Sequence, residues 1–298
     1  KVAFRSATGY YRDPGFIDAP FLVREPGVSL PQPDFSDPDA AKENLRYAPD
    51  INDERTLTTR NSLMIRPVDG LEAILTYAYQ RTRTDGRQSN SAGALGTDRY
   101  QVGSRILEKM DRSAELIGLE INAEVADFAR LTSSTAFTTQ NFDYIRDMTD
   151  ELLTYEFGYE NFPSFTAIAP QDGKIKQVNQ EIRLSSFDGS RFSWVVGGFL
   201  NHISTRNQYF EFTPGIPEFF GMDRPDNLEF AARSRTKTTE TAAFGELSYN
   251  ITDRWQVTGG LRYFSYMAYA EGGQAVPLVD GSVFPEIRYS SRDGRTED

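Results

Sequence analysis

The sequence predicts an all-β protein, an incomplete antiparallel transmembrane β-barrel, from three observations. Segments of about 10 to 14 residues alternate apolar with polar side chains, whereas a typical strand has about 5–6 residues. Very short turns alternate with long connections rich in Pro, Gly and Asp. The 15 Tyr and 21 Phe residues gather toward the ends of the apolar faces. Short periplasmic turns, long extracellular loops and aromatic girdles are typical of outer-membrane barrels.

Five hairpin-like units follow one another along the chain. The first is a single strand whose hairpin partner is absent from this chain, and the other four have their turns near 67–70, 126–128, 187–190 and 252–254. Within the connection at 12–50, a capping side chain followed by a proline predicts a short helix over 36–43. The five units span 2–11, 54–84, 113–146, 177–204 and 237–270.

The alternation is clearest in the third and fifth units. Ile117, Leu119 and Ile121 share one face of the third unit, while Glu120 and Asn122 share the other. In hydrocarbon every backbone polar group must be bonded within the protein, so a sheet with an open edge cannot span a membrane. Nine clear strands, or ten, use up the chain, which we therefore interpret as part of a larger barrel.

Composition restricts the possible functions. The net charge is −11 and the pI is about 4.8, which argues against nucleic acid as a partner because phosphate-backbone binding needs a basic face. There is no cysteine and one histidine, so thiolate zinc sites, cysteine nucleophiles and His-rich metal clusters are excluded from this chain. Neither a metal nor another cofactor is expected. The common enzyme motifs are also missing, and we expect no enzyme activity.

Three stretches resemble parts of TonB-dependent outer-membrane receptors. The resemblance is most specific in the second and third stretches and follows the order of that family. The stretches are GYYRDPGFID at 9–18, VNQEIRLSS at 178–186 followed by FSWVVGGF at 192–199, and AFGELSY at 243–249 followed by TDRW at 252–255 and TGGLRY at 258–263.

The resemblance implies a barrel of 22 strands that is closed by an N-terminal plug in the outer membrane of a Gram-negative bacterium. It implies uptake of a scarce nutrient such as a ferric siderophore, cobalamin, haem or an oligosaccharide, energised through the TonB–ExbB–ExbD complex. The expected partners are outer-membrane lipid, the plug, that complex and a small-molecule or chelate ligand. Residues 1–298 would then be part of the barrel domain, without the plug, the TonB box or the C-terminal strands.

Charged residues on the polar strand faces are the first candidate site. They are expected to face the lumen, where they could contact the plug or a passing ligand. Cross-strand pairs of opposite charge are ordinary in sheets, so a ladder of ion pairs that stabilises the wall is the favoured interpretation. These residues are Arg5, Glu120, Glu181, Arg183, Glu246 and Arg262.

Aromatic residues in two predicted loops, 143–165 and 209–230, are the second candidate site. Because function concentrates in loops, a sugar ring or an aromatic chelate could stack on them. Alternatively they pack on neighbouring loops or lie at the rim of the bilayer. The predicted ligand-binding residues are Tyr155, Phe157, Tyr159, Phe210, Phe219 and Phe220.

Other classes of protein remain open at this point. A passive pore would show a lumen constriction and conductance without a plug. A soluble all-β binding module would stay monodisperse without detergent. An outer-membrane hydrolase would need a Ser/His pair, for which His202 is the only histidine.

Overall fold

The computed structural model describes residues 1–155, 157–187, 191–222, 224, 226–280 and 290–297, the last segment by its backbone. Twelve strands lie in the part of the chain that the structure describes. They are β1 Val2–Asp13, β2 Ala19–Val23, β3 Leu45–Ala48, β4 Glu54–Ile65, β5 Leu71–Thr84, β6 Met110–Val125, β7 Ala129–Asp147, β8 Ile168–Ser186, β9 Phe192–Phe212, β10 Leu228–Thr252, β11 Trp255–Ala275 and β12 Ser290–Glu297.

Ten of these strands form one antiparallel sheet in the order β1-β4-β5-β6-β7-β8-β9-β10-β11-β12, with β2 and β3 paired separately. Each strand therefore pairs with its neighbours along the chain, as in an up-and-down barrel. The sheet is not closed on itself, because β1 and β12 form its two edges. This confirms the predicted fold class, an incomplete antiparallel barrel.

Connections alternate in length as predicted. Those between β4 and β5, β6 and β7, β8 and β9, and β10 and β11 are short, and they lie at one end of the strands. At the opposite end lie the long connections, 14–53, 85–109, 148–167 and 213–227. The turn predicted at 187–190 lies mostly outside the described residues.

The cross-strand register divides the sheet into two faces. One row runs through Phe4, Leu63, Leu75 and Leu119, and we call this side the outer face. Large apolar side chains on it are exposed, up to 81% for Leu261. This pattern on strand after strand provides the apolar band that a barrel needs to contact lipid.

Several strands extend farther than the sequence predicts. β9 has 21 residues and β10 has 25, so the two ends of the stretch 209–230, residues 209–212 and 228–230, are strand and not loop. The chain after residue 271 was also predicted as loop, yet β11 continues to Ala275 and β12 forms near the end. Polar side chains occupy both faces of these extensions, which weakens the alternation that marks a strand in the sequence.

Within the described residues, four α-helices lie in connections at the end of the sheet opposite to the short turns. Asp37 caps α1, Pro38–Asn44, by accepting from the N–H groups of Asp39 and Ala40, which confirms the predicted short helix. The others are α2 Thr149–Leu153, α3 Ile216–Phe219 and α4 Pro277–Asp280. In the described ranges none of the helices is long and apolar enough to cross a bilayer.

The buried cores lie among the long connections. One core includes Met148, Leu152, Phe165, Ile216 and Leu278. A second includes residues of connections 14–53 and 85–109. We call the four long connections 14–53, 85–109, 148–167 and 213–227, together with their two cores, the loop cap.

Candidate functional site

The loop cap is held together by contacts between connections that are far apart in sequence. The N–H of Gly27 donates to Oγ1 of Thr166 at 2.9 Å, and Oγ of Ser164 donates to the carbonyl of Val28 at 2.7 Å. Gly27 has φ +78°, and a Cβ there would lie 2.3 Å from the carbonyl oxygen of Pro214. The first, third and fourth connections therefore meet at one place, with a glycine required at the contact.

Connection 85–109 joins the cap through a buried arginine. Arg105 is 1% exposed, its carbonyl accepts from the N–H of Val23 at 2.9 Å, and its own N–H donates to Asp147. Burial lowers the pKa of Arg105 and raises that of Asp147. These polar contacts attach the second connection to the first and to the end of β7.

The predicted loop aromatics divide into buried and exposed groups. Tyr159 is 6% exposed and stacks on Phe165, with ring centroids 4.8 Å apart and an interplanar angle of 6°. Its hydroxyl donates to Glu229. Tyr159 is therefore part of the core, in agreement with the packing alternative, and its expected ligand contact is not supported by its position.

Four of the predicted residues are exposed on the cap, and we call them the aromatic surface. Tyr155 is 51% exposed, Phe157 64%, Phe219 45% and Phe220 42%. The rings of the first pair are 5.8 Å apart and those of the second pair 5.2 Å apart. Exposed rings held next to one another are unusual on a protein surface without a binding role.

The core supports both pairs of the aromatic surface. Phe157 contacts Tyr159 at 5.8 Å, and Phe219 contacts Phe162 at 4.9 Å. Phe162 packs against the core, and a Cβ on Gly215, which has φ +83°, would come within 2.8 Å of its ring. The exposed rings are therefore mounted on a packed base that limits their movement.

Phe210 is not a loop residue, contrary to the prediction. It lies in β9, where the alternation places it on the outer face together with Leu200. The guanidinium of Arg233 lies 5.6 Å from its ring centroid. The strand continues farther than the sequence indicated, so Phe210 is separated from the aromatic surface.

Beneath the aromatic surface lie buried acids that the sequence did not indicate. The pKa of Glu229 is raised to about 7, mainly by burial and in smaller part by the charge of the nearby Glu211. Burial also raises the pKa of Glu211, and the hydroxyl of Tyr209 donates to this carboxylate at 2.5 Å. Glu229 lies at an irregularity in the pairing of β9 with β10, and such a bulge leaves no simple pattern in the sequence.

The six charged residues that were predicted to face the lumen share the face opposite to Leu119 and Leu261, here called the inner face. The register connects them across the sheet, since Glu120 opposes Ser134, which opposes Glu181. The same alternation holds for the whole set, Arg5, Glu120, Glu181, Arg183, Glu246 and Arg262.

The expected ladder of ion pairs on this face is mostly not formed. Arg262 bonds Glu240 on the neighbouring strand at 2.9 Å, whereas Arg183 reaches Glu181 of its own strand at 3.8 Å. Within the described ranges Arg5 makes no ion pair. Arg5, Glu120 and Glu246 therefore have no ion-pair partner among the described residues.

No group of three or more His, Asp or Glu residues that could hold a metal ion occurs in the portion of the chain that the structure covers. His202, the sole histidine of the sequence, has Nδ1 2.8 Å from Oγ1 of Thr239 on the outer face. It therefore lies on the opposite side of the sheet from the inner-face charges.

Comparisons with known proteins agree on one architecture. A family model described as "TonB dependent receptor-like, beta-barrel" matches residues 5–287. A search of curated proteins finds no match. Solved structures similar to this chain include the ferric yersiniabactin uptake receptor FyuA from Yersinia pestis, with a TM-score of 0.68 and 14% identity over 100% of this chain and 38% of that one.

Two further structures show the same fold. The siderophore receptor PiuA from Acinetobacter baumannii matches with a TM-score of 0.56 and 10% identity over 100% of this chain and 42% of its own. The ferric citrate transporter FecA, in its unliganded form, matches with a TM-score of 0.52 and 11% identity over 83% of this chain and 33% of its own. The chain thus spans about two fifths or less of the length of these structures.

Proposed function

This chain belongs to the TonB-dependent receptor β-barrel family, and from that premise we propose that it forms part of the wall and loop cap of an outer-membrane uptake receptor. The proposed ligand is a ferric siderophore or a related iron chelate. The proposed location is the outer membrane of a Gram-negative bacterium. The intact receptor would also contain a plug and would take its energy from the TonB complex of the inner membrane.

The aromatic surface is the observation that supports this function best. Its rings are exposed at the end of the sheet that carries the long connections, where an extracellular ligand would arrive first. Flat apolar faces bind aromatic or planar chelate groups by stacking, with ring centroids about 4.5–7 Å apart. A rigid base reduces the entropy lost on binding, because the rings are already positioned.

Iron chelates are favoured over the other nutrients of the family for two reasons. Two of the three similar structures are, by their descriptions, a ferric yersiniabactin uptake receptor and a siderophore receptor. The inner face also presents charge that has no ion-pair partner among the described residues, including Arg5, whose guanidinium could contact the oxygen atoms of an anionic chelate. We assign no enzyme activity to the chain.

Binding of a panel of ferric siderophores to the intact purified receptor tests the proposal. Alanine at Phe157 and Phe219 should weaken the binding of the recognised chelate at least tenfold, measured by fluorescence quenching. Phe128 is a matched control, because it is 62% exposed but lies at a short turn at the other end of the strands. Its replacement by alanine should leave the affinity unchanged.

Measurements on the intact receptor also distinguish an uptake receptor from the alternative function, a passive pore. A receptor should show no steady conductance in a planar bilayer while its plug is in place, and its uptake in cells should stop when the proton gradient is abolished. Binding of no chelate, together with steady conductance, would show instead a passive pore.

A further inference from the structure

Two arginines lie close together on the inner face near the short turns, far from the aromatic surface. Arg5 on β1 is directly opposite Ser62 on β4. Two residues along the same pairing, Ala7 is directly opposite Arg60. The alternation along each strand places all four side chains on the inner face. The two arginines therefore occupy one diagonal of a block of four residues, and we call Arg5 and Arg60 the arginine clamp.

The small side chains on the other diagonal leave a recess between the two guanidinium groups. This recess is a cavity of about 320 Å³ that is lined by Arg5, Ala7, Arg60 and Ser62. Diagonal neighbours on paired strands are about 7–8 Å apart, which long side chains can span. A group with several oxygen atoms could therefore enter the recess and contact both guanidinium groups at once.

Neither arginine of the clamp makes an ion pair or a side-chain hydrogen bond among the described residues. Elsewhere on the inner face arginines are paired, since Arg130 reaches Glu124 at 3.8 Å and Arg262 bonds Glu240 at 2.9 Å. Arg112 on β6 also lacks an ion-pair partner in the described ranges, but its opposite residues are a threonine and a phenylalanine. On the inner face of the described strands, only the clamp places two unpaired arginines next to each other.

Two neighbouring like charges repel each other, and the sequence does not neutralise them here. The chain has 43 acidic and 32 basic residues, yet alanine and serine occupy the two positions from which a carboxylate could pair with the clamp. The residues that line the recess all belong to β1 and β4, so the recess forms without a strand beyond the edge of the sheet. This arrangement is expected where an external anion provides the countercharge.

The height of the clamp separates it from the loop cap. Arg5 lies three residues after the start of β1 at Val2. Arg60 lies five residues before the end of β4 at Ile65. A tilted strand climbs roughly 2.5 Å per residue, so the two positions are roughly 8 and 12 Å above the short turns. The upper end of β1 at Asp13 is roughly 20 Å above Arg5, and a small chelate held on the loop cap therefore cannot reach the clamp.

We propose that the arginine clamp binds the carboxylate or phenolate oxygens of an anionic ferric chelate inside the lumen, after the chelate has left the loop cap. Arginine suits this role, because its planar fork of N–H donors forms paired charge-assisted hydrogen bonds with such oxygens. The inference rests on the proposed function and adds to it the charge of the ligand and a second position on its path. A soluble anion or a carboxylate of the plug offers the same chemistry, so the experiments must separate these sources.

The first test is modification of arginines by phenylglyoxal in the intact purified receptor, read by peptide mass spectrometry, with citrate as the anionic probe. Arg5 and Arg60 should react without citrate, and citrate should protect them at a concentration about tenfold lower than it protects Arg112. In the R5Q variant Arg60 should lose this protection, because one guanidinium group alone holds the anion less tightly. The R112Q variant is the matched control and should leave the protection of both clamp residues unchanged.

The second test measures uptake of radioactive iron by cells that produce the intact receptor. The chelate is the member of the siderophore panel that binds the purified receptor most tightly, and we expect it to be negatively charged. The R5Q/R60Q variant should take it up about tenfold more slowly than the unmodified receptor and should bind it with unchanged affinity after purification. The R112Q variant should change neither quantity. Alanine at Phe157 weakens the affinity itself, so failure of the clamp and failure of the proposed function are distinguishable.

Four results would overturn the proposal. Clamp arginines that do not react with phenylglyoxal before citrate is added would be covered by another part of the receptor, such as the plug. Equal protection of Arg112 would show a general effect of anions on arginine. Unchanged uptake by the R5Q/R60Q variant would make the clamp a site for a soluble anion outside the path of the chelate. Recognition of neutral chelates alone would contradict the proposed charge of the ligand.

Discussion

Leu261 in the lower part of β11 is 81% exposed, whereas Phe165 in the loop cap is 2% exposed. The two large apolar side chains represent two regions that are stabilised by different means. In the lower sheet, the backbone hydrogen bonds of long strands provide the structure, and the apolar groups face outward. In the cap, apolar groups are buried in two cores, one that includes residues of connections 148–167 and 213–227 and one formed by connections 14–53 and 85–109, as in a small water-soluble domain.

The comparison shows that one chain is adapted to two solvents. Where hydrocarbon surrounds the protein, burying apolar side chains brings no gain, since lipid is as apolar as they are. Where water surrounds it, the same burial provides the main stabilisation, at about 25 cal/mol per Å². We therefore expect the cap to open locally without disturbing the wall.

The largest expected effect is on the cap. Replacing Phe165 by alanine should destabilise the cap by about 3–5 kcal/mol, because the ring is buried and stacked on Tyr159. Hydrogen exchange of the intact receptor measures this as a loss of protection, at least a hundredfold, at the N–H of Phe162, which donates to the carbonyl of Tyr159 at 3.0 Å. Amides in the middle of β7 should keep their protection.

The matched control for this variant is alanine at Phe157, which is 64% exposed. It should change the protection of the cap little, since most of its surface is already in contact with water. Equal loss of protection in the cap and in β7 after the change at Phe165 would show that the two regions unfold together.

The sequence reveals the wall far better than the cap. The period of two along the segment 113–125 defines which residues share a face, because strand geometry alone fixes that alternation. Nothing comparable marks Glu229 or the contact between Gly27 and Pro214, since these depend on how loops far apart in the chain pack together. The same limit explains why Phe210 was predicted to lie in a loop. β9 continues beyond the part of its sequence in which apolar and polar residues alternate.

Among the candidate residues, the sequence correctly predicted which aromatics lie in loops in five of the six cases, but not which of them are exposed. Tyr155 and Tyr159 are four residues apart and of the same type, yet one is 51% exposed and the other 6%. Tyr159 packs into the core against Phe165 and its hydroxyl donates to Glu229, and these partners lie too far along the chain for the sequence to reveal them. The sequence likewise does not show that Lys174 and Arg206 are neighbours, because only the register of β8 and β9 brings them together.

The second expected effect tests the two faces of the wall. Arginine at Leu119 should cost about 2–4 kcal/mol, because the residue lies on the outer face about 15 Å above the short turn, near the middle of the bilayer. Arginine at Leu261 should have a similar cost. Refolding of the intact receptor into lipid bilayers, titrated with urea, measures both variants.

Arginine at Asn122 or Thr258 provides the control, since both residues lie on the inner face. A mild effect is expected there, because the new charge can remain in water. If the inner and outer substitutions cost the same, the assignment of the outer face to lipid is wrong.

The smallest expected effect is a dependence of cap stability on pH. Glu229 lies 23 residues before the end of β10, which places it well above the bilayer. Its pKa is raised from 4.5 to about 7, first by burial and then by Glu211. The folded cap therefore holds a proton that the unfolded cap has lost, and this stabilisation is complete below pH 4.5 and disappears as the pH rises through 7.

Between pH 5.5 and pH 8 the cap should lose about 2 kcal/mol of stability from this group. Hydrogen exchange at the N–H of Phe162, corrected for the intrinsic effect of pH, measures the loss. In the E229Q variant the glutamine still accepts the hydrogen bond from Tyr159 but cannot ionise. The cap of this variant should therefore have nearly the same stability at pH 5.5 and at pH 8. Amides in the wall should show no such change in either protein, because Glu229 lies in the cap and not in the wall. A cap with glutamine that still weakened by the full amount would assign the effect to another acid whose pKa burial also raises, Glu211 or Asp147.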